Sequence, residues 1–208
     1  PVASLLAELH PDGTWATPAA TWAPYDGPGW RLIAAVRWGA DPEDPRLHAA
    51  SDRLLGAMND HGGIARPRHP DGDPRLTARA LEAMLALGWR RHPRVQEWLA
   101  WFEATRGWER DPVAAVGVLH ASGGGLRPVL VDRAVDGLDR CLRAPATRST
   151  TAPGYPNLLR TDPAEIFAAL AAAEVEWREP WRPALERLQR LQDERGRWPR
   201  RSSVPASL

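Results

Sequence analysis

The chain has 208 residues, 43 % hydrophobic and 25 % charged, with a formal net charge of +1. Such a length and composition suit one soluble globular domain over 1–208 with a sizeable core. The near-neutral balance, without a run of like charge, argues against nucleic acid or an anionic membrane as partner. All 27 basic residues are Arg, which with the many Ala, Pro and Gly points to coding bias in a GC-rich bacterium rather than to a binding surface. The single cysteine, Cys141, excludes an internal disulfide and a thiolate metal cluster. No charged segment followed by an apolar one resembles a signal peptide, and no apolar run approaches the ~20 residues of a membrane span. A cytoplasmic location is the expectation. The chain begins at Pro1 without an initiator Met, so a processed or truncated chain is expected.

Helix starts are marked by proline. Asp44-Pro45, Asp73-Pro74, Asp111-Pro112 and Asp162-Pro163 each precede an Ala/Leu-rich run. Asp at the N-cap accepts orphan N–H groups, and Pro at the first helical position gives up a donor that had no partner. His92-Pro93 and Arg127-Pro128 start two further runs. The spacing predicts helices over 2–9, 29–39, 45–58, 74–88, 93–104, 112–121, 128–143, 162–174 and 182–193. In the fourth, Leu76, Ala80, Leu81, Met84, Leu85 and Leu87 share one face, and Arg75, Arg79 and Glu82 the other. The Val129-Leu130-Val131 run sits where a helix should begin and reads as helix.

A repeat underlies these elements. The segments at 5–15, 54–64, 98–108 and 185–198 each end a helix with a glycine and an aromatic or apolar residue, the glycines being Gly13, Gly62, Gly107 and Gly196. The period is roughly 45–50 residues, with the last interval about doubled, which predicts stacked helix pairs and a degenerate copy near 140–155.

In the last copy, Gln192, Gly196 and Trp198 match the Q-x-x-x-G-x-W core of the QW motif. Gly13-Thr14-Trp15 and Gly107-Trp108 are weaker versions. On these residues the chain resembles the squalene/terpene cyclases and, more broadly, the protein prenyltransferases. The resemblance implies an all-α αα-toroid, inner helices within a ring of outer ones around a central cavity. A complete ring has six pairs, and fewer are present, so the toroid is incomplete. The motif's role there is structural: Gly makes the left-handed turn, and the indole covers apolar surface while its N–H finds a helix end.

Class II terpene cyclases protonate an alkene with the middle Asp of D-x-D-D. The nearest match is Asp71-Gly72-Asp73-Pro74, which makes Asp73 the candidate acid. Proline replaces the last carboxylate, and Asp73 is also one of four Asp-Pro helix starts. A cap works as an acceptor, whereas a catalytic acid must hold a proton. The zinc of the prenyltransferases, and of lanthionine-forming cyclases of related fold, needs three or four convergent ligands. Cys141 has no His at helical spacing, so neither metal nor other cofactor is expected. Gly123-Gly124-Gly125 lacks the Lys and Ser/Thr of a phosphate loop and reads as a turn.

A polar cavity lining remains. Inner helices are expected to present Trp30, Arg75, Thr77, Arg79, Glu82, His120, Asp162 and Glu165 on or near their free faces. The resemblance then implies a non-catalytic protein binding a small molecule or peptide in its cavity. Two alternatives are a degenerate class II cyclase using Asp73, and a protein-interaction scaffold whose open gap admits a partner or a second copy.

Overall fold

Local capping chemistry sets where the helices begin. The computed structural model describes residues 2–16, 27–56, 62–65, 69–121, 127–144 and 161–196. Among them are nine α-helices: α1 (Val2–Ala7), α2 (Pro28–Arg37), α3 (Pro45–Gly56), α4 (Pro74–Ala86), α5 (Pro93–Ala104), α6 (Pro112–His120), α7 (Pro128–Arg143), α8 (Pro163–Ala172) and α9 (Arg182–Arg190). Seven of the nine open on Pro. The four expected caps are in place. Asp44 accepts from the Arg46 N–H, Asp73 from Arg75 and Leu76, Asp111 from Val113 and Ala114, and Asp162 from Glu165. His92 caps α5 in the same manner, its Nδ1 accepting from the Arg94 N–H at 3.2 Å.

Most helices end a turn or less before the periodicity predicts. The chain there turns into left-handed glycines, such as Gly88 after α4 at φ +80°, and single 3-10 turns at Trp89–Arg91, Trp108–Arg110 and Glu179–Trp181 lead into α5, α6 and α9. Val129, Leu130 and Val131 lie inside α7. The described residues contain no strand, only an isolated bridge between Leu9 and Trp15.

The helices form two layers. In the inner layer α4 packs between α2 and α6, and α6 between α4 and α8. In the outer layer α3 lies on α2, α5 on α4, α7 on α6 and α9 on α8. Small residues bring the inner helices together. Gly117 of α6 faces Ala78 of α4, where a Cβ on the glycine would come within 2.8 Å of the alanine Cβ. At the N-terminal ends Arg75 pairs with Asp111. These two contacts, in the same order along both helices, make α4 and α6 parallel. The short α6 is the centre of the core: every residue from Val113 to Leu119 is buried.

The repeat is present in the backbone. Gly13, Gly62, Gly107 and Gly196 all take positive φ, between +71° and +96°, a region that side chains disfavour. Trp15, Ile64 and Trp108, following the first three, are buried. The Trp108 indole donates to the Phe102 carbonyl at 2.9 Å, at the end of α5. The last copy differs: Gln192 and Gly196 are exposed, and the Gln192 amide donates to the Gly196 carbonyl at 3.2 Å, closing its own turn. Trp198 and most of the copy expected near 140–155 lie outside the described residues.

Neighbouring repeats are tied by Arg133 of α7. Its guanidinium donates to the carbonyls of Phe102 (3.1 Å), Glu103 (3.2 Å) and Thr105 (2.6 Å), and pairs with the Glu109 carboxylate at 3.0 Å. It also lies over the Trp108 ring, 4.9 Å from the centroid. One side chain thereby satisfies carbonyls that the end of α5 leaves open. Four residues along α7, Gly137 rests on the Glu109 carbonyl, where a Cβ would fall 1.8 Å from the oxygen.

That contact is backbone against backbone, so relief requires moving α7. Gly137→Ala is expected to destabilise by about 3 kcal/mol, at the upper end of overpacking costs. Gly56→Ala, at an exposed helix end with open space at the Cβ, is expected to be neutral or slightly stabilising. Urea denaturation of the two variants checks the pair; equal midpoints would contradict the packing described.

Candidate functional site: an ion cycle on the inner helices

Four of the inner-face residues expected from the sequence converge: Arg79, Glu82, His120 and Glu165. Arg79 and Glu82 are one turn apart on α4, joined from Arg79 Nη1 to Glu82 Oε2 at 3.2 Å. Arg79 Nη2 meets Glu165 Oε1, in the first turn of α8, at 2.7 Å. Arg37, the last residue of α2, completes the set. Its Nε pairs with Glu82 Oε1 at 3.3 Å, and its Nη2 also pairs with Glu165 Oε1. Each arginine thus bridges both glutamates and each glutamate both arginines. The result is a closed four-charge cycle of zero net charge that joins α2, α4 and α8. Thr161 donates from its hydroxyl to Glu165 Oε2 at 2.7 Å.

The cycle is dry. The Arg79 side chain is 0 % exposed and the other three members are between 12 % and 15 %. Burial of single charges is costly, and good mutual geometry is what offsets it. Burial alone would push the Glu165 carboxyl up. The Arg79 and Arg37 guanidiniums, with hydrogen bonds from Arg37 and Thr161, more than reverse this and hold it below the usual carboxylate range. His120 ends α6 beside the cycle. Burial lowers its pKa, with Arg37 and Arg79 acting in the same direction against Glu82 and Glu165. The ring is therefore neutral at neutral pH. Its Nε2 and the Nε of Arg79 are buried without a hydrogen-bond partner among the described residues.

The other expected lining residues lie elsewhere. Trp30 is 1 % exposed and belongs to the hydrophobic core, not to a free face. Thr77 is likewise buried: its hydroxyl donates to the Asp73 carbonyl and accepts from the Ile64 N–H, both within 2.9 Å. Arg75 is half exposed and pairs with Asp111 at the outer end of α4. Asp162 caps α8. Two members of the site, Arg37 and Thr161, were not anticipated. Arg37 follows Trp30 by seven residues, two helical turns, and so lies near the same side of α2; that spacing was the available signal. Thr161 precedes the Asp-Pro start and carried none.

Asp73 is 4 % exposed, and its Oδ1 accepts from the Arg75 and Leu76 N–H groups at 3.0 and 3.3 Å. Asp71 is one wall of a shallow hollow of about 360 Å³ that Trp101, Thr105 and Asp111 also line. The Trp101 indole donates to the Asp71 carbonyl at 3.2 Å. A second hollow, about 250 Å³, lies between α7, α8 and α9. Among the described residues no group of three or more His, Cys, Asp or Glu side chains could hold a metal ion. Burial, with the Asp111 charge adding, pushes the Cys141 thiol up. No helix among the described residues is long and apolar enough to cross a membrane.

Two predictions follow the geometry. Glu165→Gln removes one partner of a buried pair and is expected to destabilise by about 3 kcal/mol or more. It should also change the acid response. The folded Glu165 resists protonation more than the unfolded one, so its contribution is complete above the ordinary carboxylate range and declines as pH falls through the lowered value. His120, also lowered, contributes fully above about pH 6.5 and less below it. Stability against pH should thus fall in two stages on acidification, and Glu165→Gln should flatten the lower one; an unchanged lower stage would refute the ion cycle. At α4, Asp73→Asn should change stability little and Asp73→Ala should cost about 1 kcal/mol, since Asn caps nearly as well. Thermal melts distinguish the two variants. No family model matches the sequence, and no curated protein or solved structure does.

Proposed function

We propose that the chain is a non-catalytic binding protein built on an incomplete αα-toroid, with α2, α4, α6 and α8 as inner staves and α3, α5, α7 and α9 outside them. Alternation of inner and outer packing supports this arrangement, as do the parallel α4 and α6. The bond from Arg37 to Glu165 supports it further, since it spans from the first inner helix to the fourth and requires the row to curve.

The ligand is a small polar molecule held beside the ion cycle. The observation that carries this reading is the pair of unused polar atoms at the inner face, Arg79 Nε and His120 Nε2. Buried polar atoms of this kind are ordinarily paired. A cycle of zero net charge does not select an ion. A neutral or zwitterionic ligand fits, offering an acceptor to the Arg79 N–H and a complementary group to the neutral imidazole.

Native mass spectrometry of the freshly purified chain tests the reading. One small polar molecule should be retained by the wild type and lost from His120→Ala, whose melting temperature in the ligand-free state should stay close to that of the parent. Bare protein mass in both would defeat the proposal. The chain should also fail to cyclise squalene, geranylgeranyl diphosphate or farnesyl diphosphate. Product formation abolished by Asp73→Asn would restore the cyclase alternative.

A further inference from the structure

A second pocket adjoins the ion cycle through Thr161, where the end of α7, the start of α8 and one side of α9 enclose about 250 Å³. Its floor is apolar: Leu142, Ile166, Ala184 and Leu188 are each at least nine-tenths buried. Arg187 and Arg190 stand on its α9 side, three residues apart and hence on neighbouring positions of one helix face. Neither makes an ion pair among the described residues. The polar groups opposite are already engaged. Asp162 accepts the Glu165 N–H at 3.0 Å, and Thr161 donates to the Glu165 carboxylate.

From this combination we infer that the pocket binds a small carboxylate with an apolar body, its chain on the leucine floor and its head group between Arg187 and Arg190. Guanidinium groups bind carboxylates through paired, charge-assisted hydrogen bonds. Clefts for drug-sized ligands run to roughly 300–1,000 Å³, so a pocket of this volume suits a ligand of about ten non-hydrogen atoms. Octanoate has that size and form. The lining carries two guanidiniums against the single Asp162 carboxylate, which makes charge as well as shape favour an anion.

Cys141 lines the same pocket and is the only cysteine in the chain, so its alkylation reports occupancy without labelling. The assay measures the rate of Cys141 modification by iodoacetamide at alkaline pH, where the raised thiol pKa still permits reaction. Octanoate should slow the reaction at least fivefold at saturation, while octanamide, equal in size and uncharged, should not. Arg187→Gln with Arg190→Gln should weaken protection by roughly tenfold, the loss of about one charge-assisted contact. Arg182→Gln, on the same helix but engaged with Glu179 outside the pocket, should leave protection unchanged. Equal protection by octanoate and octanamide, protection that survives the double variant, or none at millimolar octanoate would each overturn the inference.

Discussion

The inner layer depends on a fully buried guanidinium. Arg79 is fully buried among the packed helices, and its charge is tolerable there because Glu82 and Glu165 reach it together. Glu82 comes with Arg79 on the same helix. Glu165 does not, and it arrives only if α8 occupies its place beside α6. Arg37 adds the same requirement from α2. The electrostatic demand of one residue thus constrains the positions of three helices. Apolar packing alone would leave them free to slide, because Ala-rich surfaces offer many nearly equal registers. A buried, fully paired charge admits few alternatives, and here it acts as a register pin.

Helix positions were legible because their signals are local. An Asp followed by Pro caps a helix through atoms two and three residues away, and no tertiary contact is needed to make Asp73, Asp111 or Asp162 do so. The repeat was legible for a similar reason: a left-handed glycine after a helix is a property of the turn itself. The ion cycle was legible only in part. The Arg79–Glu82 pair is visible as a spacing of three, but Glu165 is 86 positions from Arg79, and nothing in either segment names the other. The helical period placed Arg79 on the polar side of α4, where surface helices meet solvent. In this array that side faces other helices, so the same pattern marks the most deeply buried cation among the described residues.

Trp30 and Thr77 show the opposite difficulty. Both lie on inner helices, and inner helices have neighbours nearly all round. Periodicity sorts residues into faces but does not say which face is open when a helix such as α6 is apolar on every side. The QW-type motif in the last repeat was the most specific sequence feature, yet within the described residues Gln192 bonds only its own turn. The better-formed links between repeats carry no motif: Arg133 on the end of α5, and the Trp108 indole on the Phe102 carbonyl.

The reach of Arg133 also bears on how such an array can gain or lose modules. Arg133 belongs to α7 but completes the end of α5, which lies in the preceding helix pair, and Gly137 must follow it to admit the Glu109 carbonyl. A recombination that excised α6 and α7 as a tidy hairpin would strip α5 of its terminator and leave Trp108 without the cation above it. A cut from the middle of α5 to a point in α7 beyond Gly137 would carry the clasp intact. A module that keeps this clasp is therefore out of phase with the visible helix pairs, with its ends inside the helices rather than in the loops.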